Sequence, residues 1–246
     1  EYDCDALMQM MKEGKSRPEI FQKLHYDMQH YVTEVNHAQI EVILNKITAC
    51  VERAVKAGVD VIEVHGDRLV GSLCSTIINH RTDEYGGSFE NRIRFALQVV
   101  EAIKKASSTI TIDYKLPIIT VQPDGSLLGK GGLLIDEAVK LAKILEENGV
   151  HMIHVAQANH TGNMNDTIPA MGTRSYHFME NECKLVKEAV SIPVSTVGRI
   201  SVEYAEKMLE DGTCDMVAFG RGLLADPDIP TKLLNGEGNL IRQCIC

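Results

Sequence analysis

The chain has 246 residues, 44% of them hydrophobic and 24% charged, and a formal net charge of −9. That length buries a substantial core, and that balance is the one expected of a soluble globular protein. With no Lys/Arg-rich block, no apolar run near the ~20 residues of a membrane span and no signal peptide, the sequence argues against nucleic-acid or membrane partners and for a cytoplasmic location.

Residues 1–37 contain no strand-like run and read as a polar, helical segment of their own. Beyond them the chain alternates between two periodicities. Ile40, Ile43, Ile47, Val51, Ala54 and Val55 recur at helical spacing, and Gly58 closes that helix. VDVIEVH then reads as a strand that stops abruptly in His65-Gly66-Asp67-Arg68. Phe89, Ile93, Ala96, Leu97, Val100 and Ile103 mark a second helix, TITIDYKLPI a strand ending at Pro117, DGSLLGKGG a glycine-rich loop, and 136–148 another helix. A third strand, GVHMIHVAQ, leads into a long polar loop that runs to Ser175. A helix over 180–190, the strand IPVSTVG, a helix over 202–209, the strand CDMVAFG and a short helix after Asp228 complete the series. Cys4, Cys50, Cys74, Cys183 and Cys214 stand alone, as reduced thiols do, while Cys244 and Cys246 close the chain as RQCIC.

Five strand–helix units with apolar, β-branched strands predict a parallel sheet covered by helices. No GxGxxG follows a strand, which weakens a doubly wound dinucleotide-binding fold. His65, Lys115, His160, Arg199 and Arg221 fall at or just after the expected strand ends, where a (β/α)8 barrel keeps its active site. The expected fold is therefore α/β, a (β/α)8 TIM barrel that is incomplete at the N-terminus. Five strands cannot close a barrel, Glu1 and RQCIC both read as cuts, and the first strands would precede Glu1.

VSTVGRIS and VAFGRGLLADPD each end an apolar strand in Gly-Arg before a helix. Glycine lets a ligand reach backbone N–H groups and arginine adds a fork of donors, so Gly198, Arg199, Gly220 and Arg221 predict a phosphate site. Two solvated surface turns are the plainer alternative. Lys115, taken as the end of TIDYK, either neutralises an electron-rich ring or a carboxylate, or reaches out to water. His160, in the long loop, has the chemistry to move a proton near neutral pH. His154, inside a strand, reads instead as a packed core residue. RTDEYGGSFENRIRF gathers Arg81, Asp83, Glu84, Glu90, Arg92 and Arg94 around a Gly-Gly turn and reads as a structural cap on a helix begun by Ser88.

That last stretch strongly resembles the signature of the Old Yellow Enzyme family of flavin-dependent ene-reductases. The agreement continues through AGVDVIEVHG, the GRI turn at 198–200 and FGRGLLADPD at 219–228. IRQC at the end resembles the start of the iron–sulfur motif in the 2,4-dienoyl-CoA reductase branch, which includes bile-acid and enoate reductases. The resemblance implies FMN at the strand C-termini, NAD(P)H as hydride donor, and reduction of the activated C=C bond of a small-molecule α,β-unsaturated carbonyl or thioester. It places Gly198, Arg199, Gly220 and Arg221 at the FMN phosphate, and Lys115 where relatives carry an Arg facing the ring. His65 matches the histidine near the substrate carbonyl, and His160 an active-site histidine. Cys244 would be the first ligand of a 4Fe–4S cluster, which with FAD would belong to a longer chain. The implied domains are residues 1–37, an FMN-binding barrel portion over 38–243, and a cut iron–sulfur motif over 244–246. Self-association into a homo-oligomer stays open.

Two positions depart from the family pattern. Relatives carry a proton-donating Tyr five residues after the matched histidine, where this chain has Val70, and Arg68 replaces a small or amide residue. The donor is then expected at His160 first and His65 second. Two other readings stand beside this one: a phosphate-binding barrel lyase or isomerase with Lys115 as Schiff base, and a non-catalytic barrel remnant that has lost its donor.

Overall fold

The structure is a computed structural model that describes residues 4–159 and 176–244. His160, Cys246 and the rest of the long loop to Ser175 lie outside the described residues.

Two helices come first, α1 (Cys4–Lys12) and α2 (Arg17–Glu34). The next, α3 (His37–Lys56), opens on a reciprocal cap in which Gln39 N–H donates to Asn36 Oδ1 and Asn36 N–H donates to Gln39 Oε1, both at 2.9 Å. Gly58 follows it with φ of +80°, a left-handed turn that a Cβ disfavours. Strands and helices then alternate: β1 (Val61–His65), α4 (Leu69–Cys74), α5 (Phe89–Ala106) and β2 (Thr111–Ile118). A hairpin of β3 (Thr120–Val121) and β4 (Leu127–Leu128) precedes α6 (Ile135–Glu147) and β5 (Met152–Gln157). The series closes with α7 (Glu180–Lys187), β6 (Val194–Val197), α8 (Val202–Glu210), β7 (Met216–Ala218), α9 (Arg221–Ala225) and α10 (Ile229–Leu234).

The five long strands pair in parallel in the order β1-β2-β5-β6-β7. This is the expected set of five units, an open arc of a (β/α)8 barrel. Three local expectations need correction. The glycine-rich loop carries the β3–β4 hairpin, turned at Asp124-Gly125 with Gly125 at φ +82°. The residues LVGSLC after the HGDR turn form α4, a helix the sequence does not announce. Lys115 does not end its strand, because β2 runs on through Pro117 to Ile118.

Pro117 is tolerated there for a geometric reason. Its carbonyl accepts from Leu133 N–H at 3.1 Å, while the next carbonyl, Ile118, accepts from Ala158 N–H just after β5 at 2.8 Å. Successive residues of a strand address opposite neighbours, so the missing N–H of Pro117 points away from β5. On that side β1 has already stopped, with His65 paired to Lys115.

Alternation sorts the sheet into two faces. Ile112, Tyr114, Leu116, Ile118, Ile153, Val155 and Val194 are all 0% exposed and join the core beneath the helices. Each such aliphatic side chain contributes about 1.5–3 kcal/mol by burial. On the other face, one row of the register runs His65–Lys115–His154–Ser195–Met216, and the row before it runs Glu63–Asp113–Met152. Val61 and Met216 on this face are 51% and 42% exposed, so among the described residues nothing covers its two edges.

The charged stretch around the Gly-Gly turn is structural, as its sequence suggests. Arg81 pairs with Asp83 and donates to the Val32 and Val35 carbonyls at 2.8 and 2.6 Å, tying the turn to the end of α2. Arg92 is 4% exposed, donates to Glu137 of α6 at 2.7 and 3.1 Å, and also reaches the Cys74 carbonyl. Ser88 caps α5 by accepting from Asn91 N–H at 3.3 Å.

Candidate active site

The turn after β1 is built against β2. A Cβ on Gly66 would sit 2.3 Å from the Lys115 carbonyl oxygen and 2.7 Å from the Tyr114 ring, so only glycine lets the chain pass this close. The turn leaves His65 half exposed and folds Asp67 back under it. Asp67 is 4% exposed, with Oδ1 3.3 Å from His65 Nδ1 and Oδ2 3.7 Å from Arg68 Nε. Its carbonyl accepts from Asn159 Nδ2 at 3.1 Å, which anchors the turn to the end of β5. Arg68 itself extends outward and is exposed.

Val70, where the family pattern carries a tyrosine, is 8% exposed and lies in the core. Valine has no proton to give, so position 70 supplies no donor.

Two residues before His65, on the same face of β1, Glu63 bridges two imidazoles. Its Oε2 lies 2.9 Å from His65 Nε2 and its Oε1 3.2 Å from His154 Nδ1. His154 therefore faces the open side of the sheet beside Glu63, rather than packing into the helix-covered core. Burial pulls its basicity down, against the opposing pull of Glu63. Asp113 stands beside Glu63 in the register, is 7% exposed, and has an Oδ1 without a hydrogen-bond partner. Burial first, then the charge of Glu63, pushes its carboxyl up to about 6. Lys115, half buried one residue-pair further along β2, acts on Asp113 and His154 through its charge.

Glu63 and Asp113 are functional candidates that the sequence reading missed. The available signal was period two: E-x-H at 63–65 and D-x-K at 113–115 put polar groups on one face of an otherwise apolar strand.

The two Gly-Arg turns follow β6 and β7, adjacent parallel strands, and so lie at the same end of the sheet as His65. Gly198 has φ of +139° and Arg199 +53°. A Cβ on Gly198 would meet the Phe178 ring at 2.9 Å, so the glycine is required both by conformation and by contact. The Arg199 guanidinium lies 4.6 Å from the centre of the Tyr176 ring, and its carbonyl accepts from His177 N–H at 3.4 Å. His177 is also left-handed, at φ +59°, and stacks at 3.4 Å on Tyr204, whose hydroxyl donates to Glu180 Oε2 at 2.8 Å. Strain shared by two facing non-glycine residues marks this turn as held for a purpose. Gly220 precedes α9, where a Cβ would meet nothing within 4 Å, and Arg221 is the first helical residue.

The structure thus puts His65 and Lys115 in one register row, and the Gly198-Arg199 and Gly220-Arg221 turns at the same end of the sheet. His160 lies outside the described residues, and Cys244 is half buried at their C-terminal limit. The donor set fits a phosphate-bearing ring cofactor. Gly220 leaves its backbone open, Arg199 and Arg221 supply guanidiniums at the same sheet end, and Lys115 offers a cation on the open face. Among the described residues no helix is long and apolar enough to cross a membrane.

Residues 2–238 match the family model described as the NADH:flavin oxidoreductase / NADH oxidase family. The chain is 60% identical over its whole length to a bilirubin reductase of Mediterraneibacter gnavus, of which it covers 38%. It is 32% identical to a cinnamate reductase of Clostridium sporogenes over 79% of the chain and 31% of that relative. Among solved structures, morphinone reductase superposes with a TM-score of 0.64 at 27% identity, over 85% of this chain and 52% of that one. The chain therefore spans about a third to a half of the length of these relatives.

Proposed function

The chain belongs to the NADH:flavin oxidoreductase / NADH oxidase family, and from that premise we propose that it forms part of an FMN-dependent reductase acting on an activated C=C bond. The observation that carries this reading is the single face on which His65 and Lys115 share a register row, at the same sheet end as the two Gly-Arg turns. Bound FMN would supply hydride exchange between NAD(P)H and the alkene.

Each residue has a distinct part. Arg199 and Arg221 would hold the phosphate, with Gly198 shaping the first turn and Gly220 leaving room for it to approach the backbone. Lys115 would place its cation at the ring edge, where negative charge is favoured. His65 would face the substrate carbonyl and deliver the proton that Val70 cannot, with Asp67 fixed against its Nδ1. His160, the first choice on sequence, lies outside the described residues and remains a candidate for that proton. Cys244 would open a 4Fe–4S ligand set in a longer chain, next to an FAD-binding region.

The 60% identity to a bilirubin reductase supports a conjugated, carbonyl-bearing alkene as substrate, with a linear tetrapyrrole of the bilirubin type first in line. A simpler enoate is the next choice, in keeping with the cinnamate reductase relative. The test is anaerobic turnover of the intact flavin-loaded protein with NADH or NADPH and a panel of bilirubin, cinnamate and a cyclic enone. Saturation of a C=C bond in at least one of them is expected. Flavin reduction with no alkene consumed across the panel would reject the reading.

A further inference from the structure

The bridging carboxylate of Glu63 is the part of the open face that the reading above does not use. Its Oε2 lies 2.9 Å from His65 Nε2 and its Oε1 lies 3.2 Å from His154 Nδ1. A carboxylate can bond two imidazoles at once only if each presents an N–H to it. Glu63 is therefore placed to face an N–H on Nε2 of His65 and on Nδ1 of His154. His65 Nδ1 lies 3.3 Å from Asp67 Oδ1, a buried oxygen without a hydrogen bond. His154 Nε2 is likewise buried and without a hydrogen bond, as is Asp113 Oδ1. One ligand-type atom from each of Glu63, Asp113 and His154 lies within 4.8 Å of the others.

The charged and titratable groups on this face are Glu63 and His65 on β1, Asp67 and Arg68 in the turn, Asp113 and Lys115 on β2, and His154 on β5. From β6 and β7 the same row presents neutral Ser195 and Met216. The carboxylates are thus already balanced by Lys115, Arg68 and the imidazoles, which argues for a proton-bearing layer over a divalent cation site.

We propose that Glu63 is a positioning residue for proton delivery, fixing the ring orientation of His65 and coupling it to Asp113 and His154. The inference rests on the ene-reductase reading for its chemical role. In the step it serves, the π bond of the alkene breaks, the β-carbon gains a hydride whose electron pair comes from NAD(P)H, and the α-carbon gains a proton. That proton leaves a ring nitrogen of protonated His65, which becomes neutral and is recharged from solvent.

The test combines a histidine-ring NMR titration with half-reaction kinetics. In the protein without added flavin, His154→Gln is expected to move the His65 titration midpoint by several tenths of a pH unit when Glu63 is present, and not in a Glu63→Gln background. In the flavin-loaded protein, Glu63→Gln is expected to slow alkene reduction about tenfold near neutral pH and to shift its pH profile, while flavin reduction by NAD(P)H changes less than twofold. A His65 midpoint indifferent to His154→Gln would overturn the proposal. So would equal slowing of both half-reactions, or a stoichiometric Zn²⁺ or Mn²⁺ ion that survives dialysis and is lost with Glu63→Gln. Failure of the parent protein to take up flavin would reject the ene-reductase reading instead, and the NMR comparison would still decide the coupling.

Discussion

The two faces of the sheet are made by the same strands and obey opposite rules. Under the helices, Ile112, Tyr114, Leu116 and Ile118 of β2 are 0% exposed, and the chain has spent its apolar residues on cohesion. On the other side of the same strand stand Asp113, with an unpartnered carboxylate oxygen, and Lys115. A buried charge held this way costs stability, and an arrangement of that kind is kept where chemistry needs it. The comparison teaches that one β-strand can serve as scaffold and site at once, the period of two keeping the roles apart.

The comparison breaks most visibly on the scaffold side. Arg92→Met removes a guanidinium that is 4% exposed and leaves Glu137 and the Cys74 and Gly87 carbonyls without their donor. A loss of about 3–5 kcal/mol is expected in urea unfolding. Lys115→Met, on the open face, is expected to do the reverse. Its melting temperature should stay near the parent value, while the FMN dissociation constant rises by about tenfold or more, the worth of one charge-assisted contact. Flavin-fluorescence titration and thermal melts of the two variants side by side would sharpen the contrast.

The smallest effect is a pH dependence. The carboxyl of Asp113 is raised from 3.8 to about 6, so between those values the folded protein holds a proton that the unfolded chain has released. This group's contribution to stability is therefore complete below pH about 4 and is lost as pH rises through about 6. Asp113→Asn should melt higher than the parent above pH 6, and the difference should vanish as pH falls toward 4.

Much of the scaffold face is legible in the sequence because its signals are local. Ile40 to Val55 at helical spacing, Gly58 behind them and the runs VDVIEVH and CDMVAFG depend only on near neighbours. The site face is legible in part. His65, Lys115 and the two Gly-Arg turns stand out by type at or near strand ends. The Glu63–His154 bridge joins residues 91 positions apart through the register of three strands, and no local pattern reports a register. α4 escapes notice because Gly71 and Ser72 are weak helix formers, held helical by burial. Pro117 reads as a strand end because the early stop of β1, which makes it harmless, is a property of the neighbouring strand.

The central claim is that the open, charged face holds the flavin. It is tested most directly by titrating the purified protein with FMN, following quenching of flavin fluorescence, and then adding NADH or NADPH without oxygen. One FMN per chain is expected, with binding weakened by Lys115→Met and by Arg199→Ala, and bleaching of the visible band by one nicotinamide. A protein that ignores FMN, or binds it equally well after both substitutions, would contradict the claim.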